Sequence, residues 1–273
     1  MSVVSAPISP PAYDTLIRAH RRRSRGTVAQ IGIGVLAILI CARYVGLFDF
    51  ARLYEGIPAI LGLIRESLPP DFSKASSWIK PLVDTLAMSV AGTALAIGLS
   101  LPLALLAARN TSPHPLVYQA ARGILNGLRS IPELILGILF VAAVGFGALP
   151  GVLALGLHSV GMVGKFFAEA IEHVRPEPIE AVRAAGARPM QVVLHGVLSQ
   201  VLPQMADVSV YRWEYNFRAS TVMGMVGAGG IGFELMGSLR IMEYRDVGAL
   251  LLVILAMVSI VDGLGSCVRK RFK

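Results

Sequence analysis

Four ionisable side chains, Asp207, Arg212, Glu214 and Arg218, and two hydroxyls, Ser220 and Thr221, lie within residues 203–225, among apolar neighbours. An arginine or aspartate at the centre of a hydrocarbon slab costs about 2.5–3.5 kcal/mol on insertion scales, so such residues face a cavity, a partner or one another. Two chemistries suit this set. Glu214 and Arg218 are four residues apart and can pair across one helical turn, which is purely structural. Alternatively, Arg212 or Arg218 offers transient positive charge to an oxyanion, with Ser220 and Thr221 as hydroxyl donors; a guanidinium suits such an anion geometrically.

Other polar residues read as packing. His158 is expected to be a hydrogen-bonded residue rather than a proton relay, Glu133 to cap or pair at the start of an apolar segment, Lys165 and Glu169 to pair at four-residue spacing, and Asp262 to lie where solvent reaches it. No Ser/His/Asp grouping, paired carboxylates or metal-ligand spacing emerges, so neither catalysis nor a metal is assigned. Cys41 and Cys267 are expected to be free thiols. Gly227, Gly229 and Gly232 spell G-x-G-x-x-G, but that fingerprint binds a dinucleotide only between a strand and a helix of a βαβ unit. In this context Gly227, Gly229, Gly230 and Gly232 are expected to serve close helix packing or an irregular backbone lining a cavity, as a gate.

The elements positioning these residues must be membrane helices. The chain has 273 residues, 55% hydrophobic and only 15% charged, against about 25% charged in soluble domains. The net charge of +8 sits in segments between apolar runs rather than on one face, which argues against nucleic acid. Runs near 28–48, 82–108, 131–148, 150–172, 203–225 and 247–266 are each compatible with a span of about 20 residues. The fold class expected is an all-α membrane protein with about six spans. Basic residues mark four segments: the N-terminal arm 1–27 with Arg18, Arg21, Arg22, Arg23 and Arg25, the 109–130 loop, the 175–203 stretch and the tail 269–273. By the positive-inside rule all four lie in the cytoplasm, termini included. The arm resembles a signal peptide's charged region, but it reads as an uncleaved anchor. The domain division expected is 1–27 arm, 28–80 first span and an interfacial segment outside, 81–268 main membrane domain, and 269–273 tail.

One stretch breaks the pattern: "EPIEAVRAAGARPMQVVLHGVLSQVLP", residues 177–203. Prolines 176 and 178 and Glu180 suit a helix start, Gly186 a left-handed stop, and Pro189 the start of a second helix with apolar Met190, Val193, Leu194, Val197 and Leu198. Ile179, Val182 and Gly186 are expected on one face, with Arg183 pointing away. The result is a helix–glycine–helix bracket, either an interfacial linker or a docking element for a cytoplasmic partner.

"EAVRAAG" with its following helix resembles the EAA loop of the permease subunits of bacterial ABC importers, in which Glu-Ala-Ala is followed by three residues and Gly. Glu180, Ala181 and Gly186 match in type and spacing; Val182, Gly196 and Ser199 depart from the usual Ala, Ile and Pro. "LNGLRSIPELILGILFV" (125–141) resembles the segment opening that family's middle span, and "WEYNFRASTVMGMVGAGGIGFEL" (213–235) is similar to the phosphonate and phosphite permeases. The resemblance implies that Glu180, Ala181, Arg183, Ala184 and Gly186 couple the chain to a separate ATPase. It implies a second permease copy forming a homodimer, two ATP-binding subunits carrying ATP and Mg, an extracytoplasmic binding protein, and a place in the bacterial inner membrane. The chain itself, lacking G-x-x-x-x-G-K-[ST], would bind no cofactor. The function implied is import of phosphonate, phosphite or a related phosphorus oxyanion. Import of another small solute, such as an amino acid, is the alternative; a secondary transporter or a membrane enzyme is less favoured.

Overall fold

Small residues decide how this chain folds. On α3 (Ala75–Ala107), Ser89, Gly92, Thr93, Ala96, Ser100 and Ala104 recur every three or four positions and are buried. The stripe lies against α6 (Ala148–Glu172), itself lined by buried Gly156, Ser159, Gly161 and Gly164. In lipid there is no apolar driving force between greasy helices, so close approach of small residues and interhelical hydrogen bonds hold them together. A Cβ on Gly161 would lie 2.7 Å from the backbone of α4 (Pro115–Ser130) at both Leu125 and Arg129, so only glycine permits that approach.

The computed structural model describes residues 10–271, the side chains of residues 10–23, 25, 29 and 53 being left aside; the basic arm's Arg18, Arg21, Arg22, Arg23 and Arg25 and the tail's Phe272 and Lys273 therefore lie outside what is described. The chain forms two units, Met1–Leu63 and Ile64–Lys273. The first holds α1 (Pro10–Tyr44) and most of α2 (Phe50–Glu66). The first span was expected at 28–48, but helix ends at Tyr44 and a turn follows, with Gly46 at φ +76°.

In the second unit α3 is followed by α4 (Pro115–Ser130), α5 (Glu133–Val144), α6, α7 (Pro176–Ala184), α8 (Pro189–Gln191), a π-helical segment Val192–Leu198, α9 (Ser199–Met223), a second π segment Gly224–Ala228, α10 (Ile231–Arg240) and α11 (Tyr244–Arg269). The described residues are helical with no strand, which removes the βαβ context the glycine fingerprint needs. Among the described residues four helices are long and apolar enough to span a membrane: 26–44, α3, α6 and α11. The count reaches six if each of two bent pairs is one span: α4 with α5, bent by 86°, and the Pro189–Ala228 run with α10, bent by 58°.

Three expectations are corrected here. The 109–130 segment is mostly helix α4, not a loop, started by Pro115 and by His114, whose Nδ1 accepts from the Leu116 amide at 3.1 Å. The span expected at 131–148 is only a 12-residue helix, about 18 Å long at 1.5 Å per residue and too short to cross alone. Its cause is Pro132, which forces Ile131 into extended backbone (φ −88°, ψ 119°) and breaks α4 from α5. The second arm of the bracket buries Val192, Gly196, Val197 and Val201 rather than Met190 and Leu194, which are exposed. Its π geometry widens the turn, so Val192 and Val197, five residues apart, face inward together with Gly196 and Val201.

Candidate functional site

The bracket is built as its punctuation suggests. Pro176 opens α7, and Glu177 lies in its first turn. At the other end Gly186 takes φ +81°, its amide donating to the Arg183 carbonyl at 2.9 Å, and the chain turns back toward Pro189. Ile179 and Val182 are half-buried, while Glu180, Ala181, Arg183, Ala184 and Gly186 are all exposed, so Gly186 does not share the inward face. Gly196 lets α7 lie close, since a Cβ there would be 3.3 Å from Ile179 Cα. Gln200 fastens the hinge: its Oε1 accepts from the Arg175 amide, and its Nε2 donates to the carbonyls of Arg175 at 3.2 Å and Gly196 at 2.7 Å. A cavity of about 490 Å³ separates the two arms, lined by Asn110, Thr111, Ile179, Glu180, Arg183 and Val192 among others.

The charges of α9 are handled differently from the expected turn-to-turn pair. Glu214 and Arg218 do not bind one another. Arg269 of α11 donates to Glu214 Oε1 at 2.6 Å, and Arg218 donates to Asp262 Oδ1 at 2.7 Å. Asp262, Gly265 and Arg269 share one face of α11, and Gly265 leaves room for the Glu214 carboxylate directly against its backbone. Two packed helices offered better geometry than one helix could. Asp207 Oδ1 lies 4.0 Å from Arg269 Nε. Ser220 Oγ donates to the Phe217 carbonyl at 2.7 Å and Thr221 Oγ1 to the Arg218 carbonyl at 2.7 Å, so both hydroxyls bond their own helix.

Arg212 stands apart. It is 1% exposed, with its Nε donating to Ser159 Oγ at 2.8 Å and Nη1 to Met162 Sδ at 3.3 Å. Its guanidinium carbon stands 4.2 Å from the centre of the Tyr215 ring, a cation–π contact. Among the described residues no carboxylate pairs with it, and Nη2 has no hydrogen-bond partner. Ser159 in turn donates to Asn216 Oδ1 at 3.0 Å, and Asn216 Nδ2 donates to Thr93 Oγ1 at 2.9 Å. The Tyr215 hydroxyl donates to Glu133 at 3.0 and 3.2 Å. His158 Nδ1 donates to the Ile131 carbonyl at 3.0 Å, and its Nε2 lies 3.6 Å from Glu133 Oε2. Thr93, Ser159 and Arg212 each fall near the middle of their helices, so one polar layer crosses the bundle at half its depth. Sequence reading found Arg212 but not Ser159, Asn216 or Thr93, which look like the small packing residues around them.

The glycine cluster is a break in the helix. Gly227, Gly229 and Gly230 have φ of 101°, 77° and 75°, and Gly232 abuts the Thr221 carbonyl. Thr85 Oγ1 accepts the Ile231 amide at 2.9 Å, replacing a lost helical partner. The ion pairs at the helix ends were also hidden in the sequence. Lys74 binds Glu243 and Asp246, both at 2.6 Å, and those hydrogen bonds raise its ammonium pKa. The Ser73 amide holds Asp71 below the usual carboxylate range. Arg122 grips Glu172 through both carboxylate oxygens at 3.0 Å. Lys165 and Glu169 do pair, at 3.6 Å.

Residues 100–273 match the family described as binding-protein-dependent transport system inner membrane component. The chain is 68% identical over 246 residues to the phosphite transport system permease protein PtxC of Stutzerimonas stutzeri, covering 90% of each. It is 40% identical over 244 residues to the putative phosphite transport system permease protein HtxC of the same organism, covering 89% of this chain and 85% of that one. In fold it is similar to a chain of the MetNI methionine ABC transporter in an inward-facing conformation, with a TM-score of 0.63 at 22% identity over 72% of this chain and 96% of that one. By this family match and this degree of identity the chain belongs to the binding-protein-dependent ABC importer permeases.

Proposed function

We propose that this chain is the membrane-spanning subunit of an ATP-driven importer of phosphite or a closely related phosphorus oxyanion. The observation carrying this is the 68% identity to a phosphite permease across nine-tenths of both chains. Two copies form the conduit, two ATPase subunits carrying ATP and Mg drive it, and an extracytoplasmic binding protein delivers the anion. The termini and the bracket face the cytoplasm, as the arginine distribution supports. Glu180, Ala181, Arg183, Ala184 and Gly186 present an exposed arm to the ATPase, and the Gln200 clamp makes that arm move with α9 as one piece.

Within the conduit Arg212 is the residue assigned to the anion. Arg218 has its charge met by Asp262, and Glu214 is held by Arg269, whereas Arg212 keeps an uncommitted N–H in a dry interior. Ser220 and Thr221 shape the wall, and the break at Gly227, Gly229, Gly230 and Gly232 is the gate.

Deleting the gene from its host and measuring uptake of labelled phosphite tests the reading. Loss of uptake, restored by the chain only with its cognate ATPase present, is the expected result. Uptake that persists without the ATPase overturns it.

A further inference from the structure

At the polar layer one side chain of α9 reaches both a cation of its own helix and a carboxylate of α5. Tyr215 turns its ring face to the Arg212 guanidinium at 4.2 Å and donates a hydrogen bond from its hydroxyl to the Glu133 carboxylate at 3.0 Å. A phenol here does two jobs that differ in sign: it shows electron density to a cation and an O–H donor to an anion. An oxyanion that retains one hydroxyl does the same two jobs better. Its charged oxygens suit the guanidinium fork, and its O–H suits the carboxylate. The aromatic contact on Arg212 is weaker than a charge-assisted hydrogen bond, and Nη2 is left with nothing.

We propose that Arg212 and Glu133 are the two poles of one binding site for a phosphorus oxyanion bearing a P–OH group, and that Tyr215 occupies this site until the anion displaces it. The proposal rests on the reading of Arg212 as the conduit's cation. Arg212 takes the anionic oxygens. Glu133 accepts the hydroxyl and so sets specificity: an anion without an O–H, such as sulfate, brings only lone pairs to a carboxylate and is rejected. Ser159 positions Arg212 through Nε, and Asn216 and Thr93 position Ser159. His158 backs the other pole, 3.6 Å from Glu133. Arg212 is closed off from solvent while the Glu133 side chain is 21% exposed, so Glu133 is the more open of the two poles.

The test is direct binding to the assembled transporter in nanodiscs, followed by phosphorus NMR of added phosphite at a pH where it keeps its hydroxyl, with sulfate as competitor. Tyr215→Phe, which keeps the ring and loses the donor, is expected to bind phosphite about tenfold more tightly. Glu133→Gln is expected to let sulfate compete within threefold of phosphite, while the parent protein prefers phosphite by at least thirtyfold. Arg212→Lys, which keeps charge without the fork, is expected to weaken phosphite at least tenfold; unfolding of any variant is checked by its thermal midpoint and retention of the ATPase. Unchanged affinity in Tyr215→Phe together with unchanged preference in Glu133→Gln overturns the two-pole site, and leaves the conduit reading standing if Arg212→Lys is impaired. Wild-type affinity in both Arg212→Lys and Arg212→Gln overturns that reading as well.

Discussion

Glu214 of α9 and Arg269 of α11 form a 2.6 Å ion pair across 55 residues of sequence, with the Glu214 side chain only 6% exposed. Removing the arginine strands a carboxylate in a dry helix interface. Arg269→Ala is therefore expected to destabilise the protein by roughly 2–3 kcal/mol, below the full range for buried pairs because Arg269 keeps some solvent contact. Arg269→Ala combined with Glu214→Gln should recover most of that loss. Thermal unfolding in detergent of the two single variants and the double variant reads the coupling; additive losses would mean that the pair is not the source.

Arg218 and Asp262 bond at similar length but are 42% and 46% exposed. Such pairs contribute about 0–1 kcal/mol. The double variant Arg218→Gln, Asp262→Asn should keep its thermal midpoint within about 2 °C and its uptake within twofold. A tenfold fall in uptake with normal assembly would place Arg218 in the anion's route after all.

Gly186 holds the bracket's turn at φ +81° with open space around it, so a side chain meets no neighbour and only the backbone objects. Gly186→Val should cost about 1–2 kcal/mol locally. Displacing the arm, it should cut uptake at least tenfold while the anion still binds. Glu180→Ala should weaken retention of the ATPase on purification. Unchanged coupling of ATP hydrolysis to substrate in both variants would remove the bracket's role.

The Lys74 cluster predicts a pH signature with two limbs. Lys74 has a raised pKa, so its contribution is complete below the ordinary lysine value of about 10.4 and fades as pH climbs past it. Asp71 has a lowered pKa, so its contribution is complete above about 4 and fades as pH falls below that. Thermal midpoints should be flat between these limits with respect to both groups. Lys74→Met should remove the alkaline limb and leave the acid limb; loss of the acid limb instead would contradict the assignment.

Much of this was legible in the sequence for local reasons. Long apolar runs mark α3, α6 and α11 because hydrocarbon thickness sets their length, and the Ala-Ala-Gly-Ala-Arg-Pro punctuation marks the left-handed turn because only glycine sits easily there. Pro132 could have revealed the break between α4 and α5, yet the surrounding apolar run masked it. The partners of Glu214 and Arg218 were illegible because they come from α11, and a spacing of four on one helix offers a competing pair that tertiary packing overrides. The face of residues 192–201 was misjudged since a π turn is a choice of backbone hydrogen bonds, with no residue type that announces it. Ser159, Asn216 and Thr93 carry no mark in sequence: in a membrane helix, a small polar residue looks the same whether it packs or positions an arginine.

His158 answers the break that Pro132 makes. Bending the chain there leaves the Ile131 carbonyl without a helical partner, and the imidazole N–H supplies the missing donor. The two positions are thus coupled by one hydrogen bond: a substitution that straightens residue 132 would give the carbonyl a helical partner and free position 158 to become apolar. Positions 132 and 158, 26 residues apart, should drift as one character.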